Sequence, residues 1–193
     1  MTLLDRVRRR FARPPEPVCA VVQASPDPDE RVLAWGVLVR DQGWLVATSQ
    51  GLRRVPAGLP LAEAGQADVL PWHEVASARW TATGDGGGRF EVIALTEVEP
   101  GVQARLPADR HALDDAGDLP AVVRRRVDQT VVASRRAPLP GRGEVVLVAR
   151  RVPGQAAREW TVVFDDDADR SDPVAREAAR QKLAEAVAAD QVV

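Results

Sequence analysis

The sequence is short of several residue types, and each shortage excludes a class of structure. Cys19 is the only cysteine among 193 residues, so no disulfide can form within the chain and a metal site of several thiolates is excluded. Lys182 is the only lysine, so almost all positive charge is arginine, which together with the excess of Ala, Val, Gly, Pro and Asp indicates a GC-rich genome. The net charge of -2 provides no global field that would attract a polyanion.

Long apolar runs are missing too. No stretch approaches the roughly 20 consecutive apolar residues of a transmembrane helix, and residues 1–13 have no apolar signal-peptide region. We therefore expect a soluble, cytoplasmic protein. An apolar fraction of 45% and a charged fraction of 28% favour a globular protein, and we expect one α+β domain over residues 18–193.

Familiar catalytic motifs are also absent. The sequence has no GxSxG, and the glycines of TGDGGG (residues 83–88) join two predicted strands instead of opening a helix, so they do not resemble a phosphate loop. Cys19 lies in the strand-like run VCAVV, where we expect a buried, inert thiol. We predict no catalytic, cofactor-binding or metal-binding residue, and no cofactor.

Two histidines and one acidic run were weighed as sites. His73 and Glu74 are predicted to start a strand on opposite faces, which argues against a catalytic dyad. His111 is predicted in a polar loop with Asp114 and Asp115, where solvated charge is expected in place of a metal site. The acidic run 165–169 fails as a calcium loop because arginines occupy its glycine and glutamate positions; we expect it to end a strand before the last helix.

Residues 1–13 are predicted to form a short basic amphipathic helix. Leu3, Val7 and Phe11 recur every four residues, and five arginines oppose one aspartate on the rest of the surface: Arg6, Arg8, Arg9, Arg10 and Arg13. Such a helix can lie on an anionic membrane, here at the inner face, or it can dock on the folded domain or fray in solvent.

Residues 18–106 are expected to be rich in strands. Three segments (30–40, 43–49 and 51–56) resemble sequential antiparallel strands, and the glycine-rich segment 83–88 is expected to form the tip of a long hairpin. Residues 118–193 then predict a helix at 119–134, a hairpin and a final helix, in which Ala175, Ala179, Leu183 and Val187 form the apolar face. This order favours an α+β fold over a parallel nucleotide-binding sheet.

Eight arginines between residues 121 and 151 form a second candidate site. They oppose only Asp128 and Glu144, and together they could contact the phosphates of nucleic acid or lipid. The alternative is a solvated or internally paired face, since residues 163–193 carry eight acids against four bases. The arginines are Arg124, Arg125, Arg126, Arg135, Arg136, Arg142, Arg150 and Arg151.

The run LVATSQGLRRV, followed by Leu70, Pro71, Glu74 and Val75, resembles the bacterial pleckstrin-homology-like (PH-like) family over residues 30–97. The resemblance implies a strongly bent antiparallel sheet or partly open barrel, here packed by the two helices of the C-terminal half. It also implies binding of lipids or proteins without catalysis, with Trp72 and Trp80 as packing residues. The chain as a whole resembles conserved proteins of high-GC actinobacteria.

These observations lead to three hypotheses. We first expect a non-enzymatic adaptor that binds an unknown protein partner or the membrane surface. The first alternative is a nucleic-acid-binding protein that uses the arginines of 124–151. The second is an enzyme of a type that the sequence does not reveal. Partner, oligomeric state and ligand are left open.

Overall fold

The computed structural model describes residues 13–84 and 86–190, which form eleven strands and three α-helices. They divide into two compact units. The first comprises the described residues up to Ile93 together with Ala108–Val127, and the second comprises Ala94–Pro107 and the described residues from Asp128 onward. Apart from Arg13, which is exposed, the predicted basic helix of residues 1–13 lies outside the described residues.

The first unit is an open sheet with one helix before its first strand and a second helix after its last strand. Its elements are α1 (Glu16–Gln23), β1 (Val32–Leu38), β2 (Gly43–Thr48), β3 (Gly51–Pro56), β4 (Val69–Pro71), β5 (Val75–Gly84), the first half of β6 (Gly87–Glu99), β8 (Asp109–Asp115) and most of α2 (Leu119–Thr130). The strands hydrogen bond in the order β4-β3-β2-β1-β8-β6-β5, so β4 and β5 are the two edges and the sheet is not closed.

The core of this unit occupies both faces of the β1–β3 meander. On one face, Leu45, Phe90 and Leu113 pack with apolar residues of α2, and Trp72 is buried among them. On the other face, Val46 and Val55 pack against α1. The predicted strands of the meander and the packing role of Trp72 are confirmed.

The prediction that Val18–Val22 is strand-like is wrong, because these residues belong to helix α1. Valines favour strands when nothing else decides, but tertiary packing overrides that preference. Val18 and Val21 are three residues apart, which places them on one helical face, and both are fully buried against the meander.

The predicted long hairpin is confirmed, since β5 pairs with β6. Gly84 and Gly86 at its tip have positive φ angles, as a tight turn between strands often requires. Gly88 is needed for a different reason: a Cβ there would lie 2.4 Å from the Thr81 carbonyl oxygen. The hairpin therefore depends on its glycines both for turning and for close approach of the two strands.

The predicted helix at 119–134 ends earlier than expected. Helix α2 stops at Thr130, and Val131 begins β9 (Val131–Pro138). The valine repeat that suggested a longer helix includes Val131, but this residue pairs with Arg150 on the neighbouring strand. β-Branched residues lower helix propensity and favour strand pairing, so the helix ends at Thr130 and the strand begins at Val131.

The second unit is a mixed sheet covered on one face by a helix. Its elements are the second half of β6, β7 (Val102–Arg105), β9, β10 (Glu144–Arg150), β11 (Glu159–Phe164) and α3 (Pro173–Asp190). The strands follow the order β6-β7-β11-β10-β9, and β7 pairs with β11 in parallel, which departs from the expected antiparallel sheet. The predicted β10–β11 hairpin is confirmed.

Helix α3 begins as its sequence predicts. The carboxylate of Asp172 accepts a hydrogen bond from the Val174 N–H at 2.9 Å, which is an N-cap interaction. Ala175 and Ala179 are buried against the sheet as expected. The predicted apolar face is wrong at its end, because Val187 is exposed and Ala186 is buried instead.

Candidate functional site

His73 and Glu74 lie in a short 3₁₀ turn (Trp72–Glu74), not at the start of a strand on opposite faces. His73 Nε2 is 3.8 Å from Glu74 Oε1, which is too long for a hydrogen bond. The turn is fixed by Trp72, whose Nε1 donates to the Thr48 carbonyl at 3.0 Å from a buried position. This stretch therefore anchors the transition from β4 to β5.

His111 lies on β8, so the prediction of a polar loop around it is wrong. The residue is buried, and its Nε2 is 3.1 Å from Asp109 Oδ2. Burial lowers the pKa of His111 and the positive charge of Arg54 adds to this, while Asp109 opposes it. The lowered pKa favours the neutral form of the imidazole.

A buried ion pair was missed from the sequence. Arg53 Nε donates to Glu30 Oε1 at 2.9 Å and Arg53 Nη2 donates to Glu30 Oε2 at 2.8 Å. Arg53 also donates to the Ala67 carbonyl. The only available signal was the pair Arg53 and Arg54 within the otherwise apolar strand segment GLRRVP (residues 51–56). Its contacts join the segment before β1 to β3, which is a structural role.

The candidate arginine surface is divided by the fold. Arg124, Arg125 and Arg126 are on α2 in the first unit, where the first two are exposed and the third is half-buried. Arg135 and Arg136 are on β9 in the second unit, and both are exposed.

Two of the eight candidate arginines make contacts within the protein that reduce their availability to a ligand. Arg136 Nη1 is 3.0 Å from Asp165 Oδ2 and 3.5 Å from Glu144 Oε2. Arg150 is buried, so its inclusion in an exposed surface was wrong; its Nη1 donates to Thr130 Oγ1 at 3.0 Å, and burial lowers the pKa of its guanidinium. Arg150 is thus removed from solvent, and Arg136, although exposed, is ion-paired.

The acidic run after β11 follows the strand as predicted and receives basic partners. Asp165 is next to Phe164, the last residue of β11. The Asp166 backbone N–H donates to its carboxylate, and Arg136 and Arg105 add their charges, so the pKa of Asp165 is lowered. Within residues 13–84 and 86–190, no group of three or more His, Cys, Asp or Glu side chains is arranged to hold a metal ion.

One edge of the sheet of the first unit is formed by β5. This strand is ten residues long, and among residues 13–84 and 86–190 it pairs with β6 on one side only. Ser77, Arg79 and Thr81 are exposed, as expected for alternate positions of a strand, while Ala78 and Trp80 lie partly buried against the core. The Trp80 and Phe90 rings are 6.4 Å apart, which holds the indole beside the edge.

The position of Gly88 shows which residues of β5 direct their backbone N–H and C=O groups toward β6 and which direct them away from it. Because a Cβ on Gly88 would lie 2.4 Å from the Thr81 carbonyl oxygen, the backbone of Thr81 points toward β6. Backbone groups alternate along an antiparallel strand, so those of Trp80 and Ala82 point away from β6. These outward groups lie at and beside a tryptophan that is only partly buried.

Comparison with protein-family models, with curated proteins and with solved structures finds no match. None of the helices formed by residues 13–84 and 86–190 has both the length and the apolar character needed to cross a membrane.

Proposed function

We propose that the chain is a non-catalytic binding module that recognises a protein segment, and that its first unit is a PH-like domain. The strand order supports the second part of this proposal. Strands β1–β4 pair with one another in sequence. Three further strands follow as β5, β6 and β8, and β8 pairs with β1. Helix α2 comes directly after β8, and Leu119, Val122 and Val123 pack into the core, as the C-terminal helix of a PH-like barrel does.

The observation that carries the binding function is the unpaired edge of β5. An extended peptide can add to such an edge as one more strand, with backbone hydrogen bonds providing affinity and side-chain contacts providing specificity. On β5 the outward N–H and C=O groups of Trp80 and Ala82 would supply the hydrogen bonds. The partly buried Trp80 would supply an apolar contact for a side chain of the peptide.

Membrane binding is the other expected form of this adaptor function, and it depends on residues 1–13. The described residues favour a protein partner instead, because the open edge of β5 offers backbone groups, which an extended peptide can match and a lipid surface cannot. Binding of nucleic acid through the arginine surface loses support from the buried Arg150 and the ion-paired Arg136.

Selection of random peptides displayed on phage against the full chain tests the proposal. Selected peptides are expected to bind the wild type and to lose at least tenfold in affinity to Ala82→Pro, which removes an outward N–H. Ala82→Val retains that N–H and is the matched control, so it is expected to bind as the wild type does. Peptides that bind Ala82→Pro and the wild type equally would show that β5 is not the binding edge.

A further inference from the structure

A second open edge belongs to the second unit and is independent of β5. Strand β9 is eight residues long, and within the part of the chain that the structure describes it pairs only with β10. Six of its side chains are exposed, including two neighbouring valines, Val131 at 36% and Val132 at 38%. Edge strands that expose apolar side chains and unpaired backbone groups are templates for pairing with another chain.

The turn between β9 and β10 shows which residues of β9 hydrogen bond to β10 and which direct their backbone groups outward. The Leu139 N–H donates to the Gly143 carbonyl at 3.1 Å, which makes this a hydrogen-bonded pair. Such pairs recur at every second residue of an antiparallel ladder, so Ala137, Arg135 and Ala133 bond to β10. The backbone groups of Arg136 and Ser134 therefore point outward.

Two further residues limit the stretch of β9 in which backbone groups point away from β10. Pro138 is one of the residues whose backbone points away from β10, and because it has no N–H it limits pairing at that end of the strand. Near the other end the register shifts by one residue where Ala133 pairs with Ala149 and Val131 pairs with Arg150. Val132 is the extra residue of this bulge, so its backbone groups are left unpaired with β10.

The charges on β9 indicate which partner fits. Arg136 is already 3.0 Å from Asp165 Oδ2 and 3.5 Å from Glu144 Oε2. An acidic peptide would have to compete with these carboxylates of the same unit. The edge therefore fits a partner that brings few charges of its own opposite Arg136.

We infer that this partner is a second copy of the chain, paired antiparallel along β9 about a twofold axis at Ser134. In this register Arg135 lies opposite Ala133 of the second copy and Arg136 lies opposite Val132 of the second copy. Long arginine stems cover apolar side chains while the charged group stays in water, so each Arg136 shields an exposed valine. The Ser134 residues bond to each other through both N–H and C=O.

The other axes that would pair outward groups are less favourable. An axis at Arg135, Arg136 or Ala137 would set Pro138, which lacks the N–H to pair, against an outward residue, and the first two would also place an arginine opposite itself. An axis at Ala133 would pair only residues 131–135 of each copy, whereas the Ser134 axis pairs residues 131–137. The Ser134 register is thus favoured by charge, by proline and by the length of strand that is paired. It closes on itself as a twofold dimer, because each edge is used once. One strand pair buries little surface, so the dimer is weak and concentration-dependent.

Sedimentation velocity over a concentration series of the full chain tests this inference. The wild type is expected to shift from monomer to dimer as concentration rises, and Ser134→Pro is expected to stay monomeric. Proline there removes an outward N–H and no bond to β10, so the fold is retained. Ser134→Ala keeps the N–H and should dimerise as the wild type does. A wild type that stays monomeric throughout, or a dimer unaffected by Ser134→Pro, would overturn the inference.

Cysteine cross-linking tests the register itself. Paired Ser134 residues would have Cα atoms about 5.5 Å apart, within the range that a disulfide spans. In a Cys19→Ala background, Ser134→Cys is expected to form a disulfide-linked dimer on mild oxidation. Ser171→Cys, at an exposed position of the same unit, is the control and should not. Equal cross-linking at both positions would reject the Ser134 axis. Ala82→Pro on β5 should leave dimerisation unchanged, which separates this test from that of the proposed function.

Discussion

Arg53 and Glu30 meet in a two-point ion pair within the first unit, with N–O distances of 2.9 and 2.8 Å and side chains 7% and 0% exposed. Removing one partner of a buried pair leaves an unpaired charge, which typically costs about 3–5 kcal/mol. We expect Glu30→Ala to lower the free energy of unfolding by that amount in urea titration. The exposed pair of Arg110 and Glu91 is the control, and Glu91→Ala should cost less than about 1 kcal/mol.

A double variant tells whether the loss comes from the unpaired charge. Replacing both partners with apolar residues, Glu30→Leu with Arg53→Met, removes the charges together. We expect the double variant to be more stable than Glu30→Ala alone. If it is less stable, the pair contributes net stability that exceeds its desolvation cost.

Stability should also fall in acid through Glu30. Burial is the largest influence on this carboxyl and would raise its pKa, but hydrogen bonds from Arg53, Ser25 and Thr48, together with the Arg53 charge, outweigh it and lower the pKa below 4.5. The unfolded chain then takes up a proton at higher pH than the folded chain, so the contribution of Glu30 is present above 4.5 and is lost as pH falls. Urea titrations of wild type and Glu30→Gln should converge in acid; a constant difference would contradict this.

His111 predicts a second pH dependence nearer neutrality. Its pKa is lowered in the folded protein by burial and by Arg54, against the opposing effect of Asp109. Below 6.5 the unfolded chain binds a proton that the folded chain does not, so stability is complete above that pH and decreases below it. His111→Gln cannot take up the proton, and the stability difference between wild type and variant should change only below 6.5. A difference that does not vary with pH would be contrary to this account.

Arg150 should be replaceable by an apolar residue of similar length. It is 7% exposed, and its Nε has no hydrogen-bond partner among the described residues. Burying a charge without a carboxylate partner is costly, so we expect Arg150→Met to keep or raise the free energy of unfolding. The exposed neighbour Arg151 provides the control substitution Arg151→Met, which should have little effect. A loss above about 1 kcal/mol for Arg150→Met would show that its bond to Thr130 outweighs the burial cost.

Residues 1–13 give a prediction that the described residues do not address. Flotation with anionic and neutral liposomes, for the full chain and for residues 14–193, should show binding only to anionic liposomes and only for the full chain. Flotation of both forms would locate the membrane contact elsewhere. Absence of flotation for both would leave protein binding as the adaptor function.

Local signals predicted much of this fold. Glycines at 84 and 86 predicted the hairpin tip, Pro120 predicted the start of α2, and Asp172 with Pro173 predicted the start of α3. Each of these signals acts within a few residues of the chain, so the sequence is enough to recognise it.

Features that depend on distant residues were not predictable. Val18 and Val21 form a helix because the meander covers them, and the parallel pairing of Val102 with Val162 joins segments far apart in sequence. The burial of Arg150 likewise depends on the whole fold. The open edges of β5 and β9 could not be seen from sequence either, since an edge is defined by which strands fail to pair.

Amide hydrogen exchange along β5 tests the central proposal most directly. The full chain would be measured free and with a selected peptide, following the outward amides of Trp80 and Ala82. Strand addition predicts that these amides exchange more slowly in the complex, while the Thr81 amide, which already faces β6, changes little. Unchanged exchange at Trp80 and Ala82 with protection elsewhere in the chain would contradict recognition by this edge.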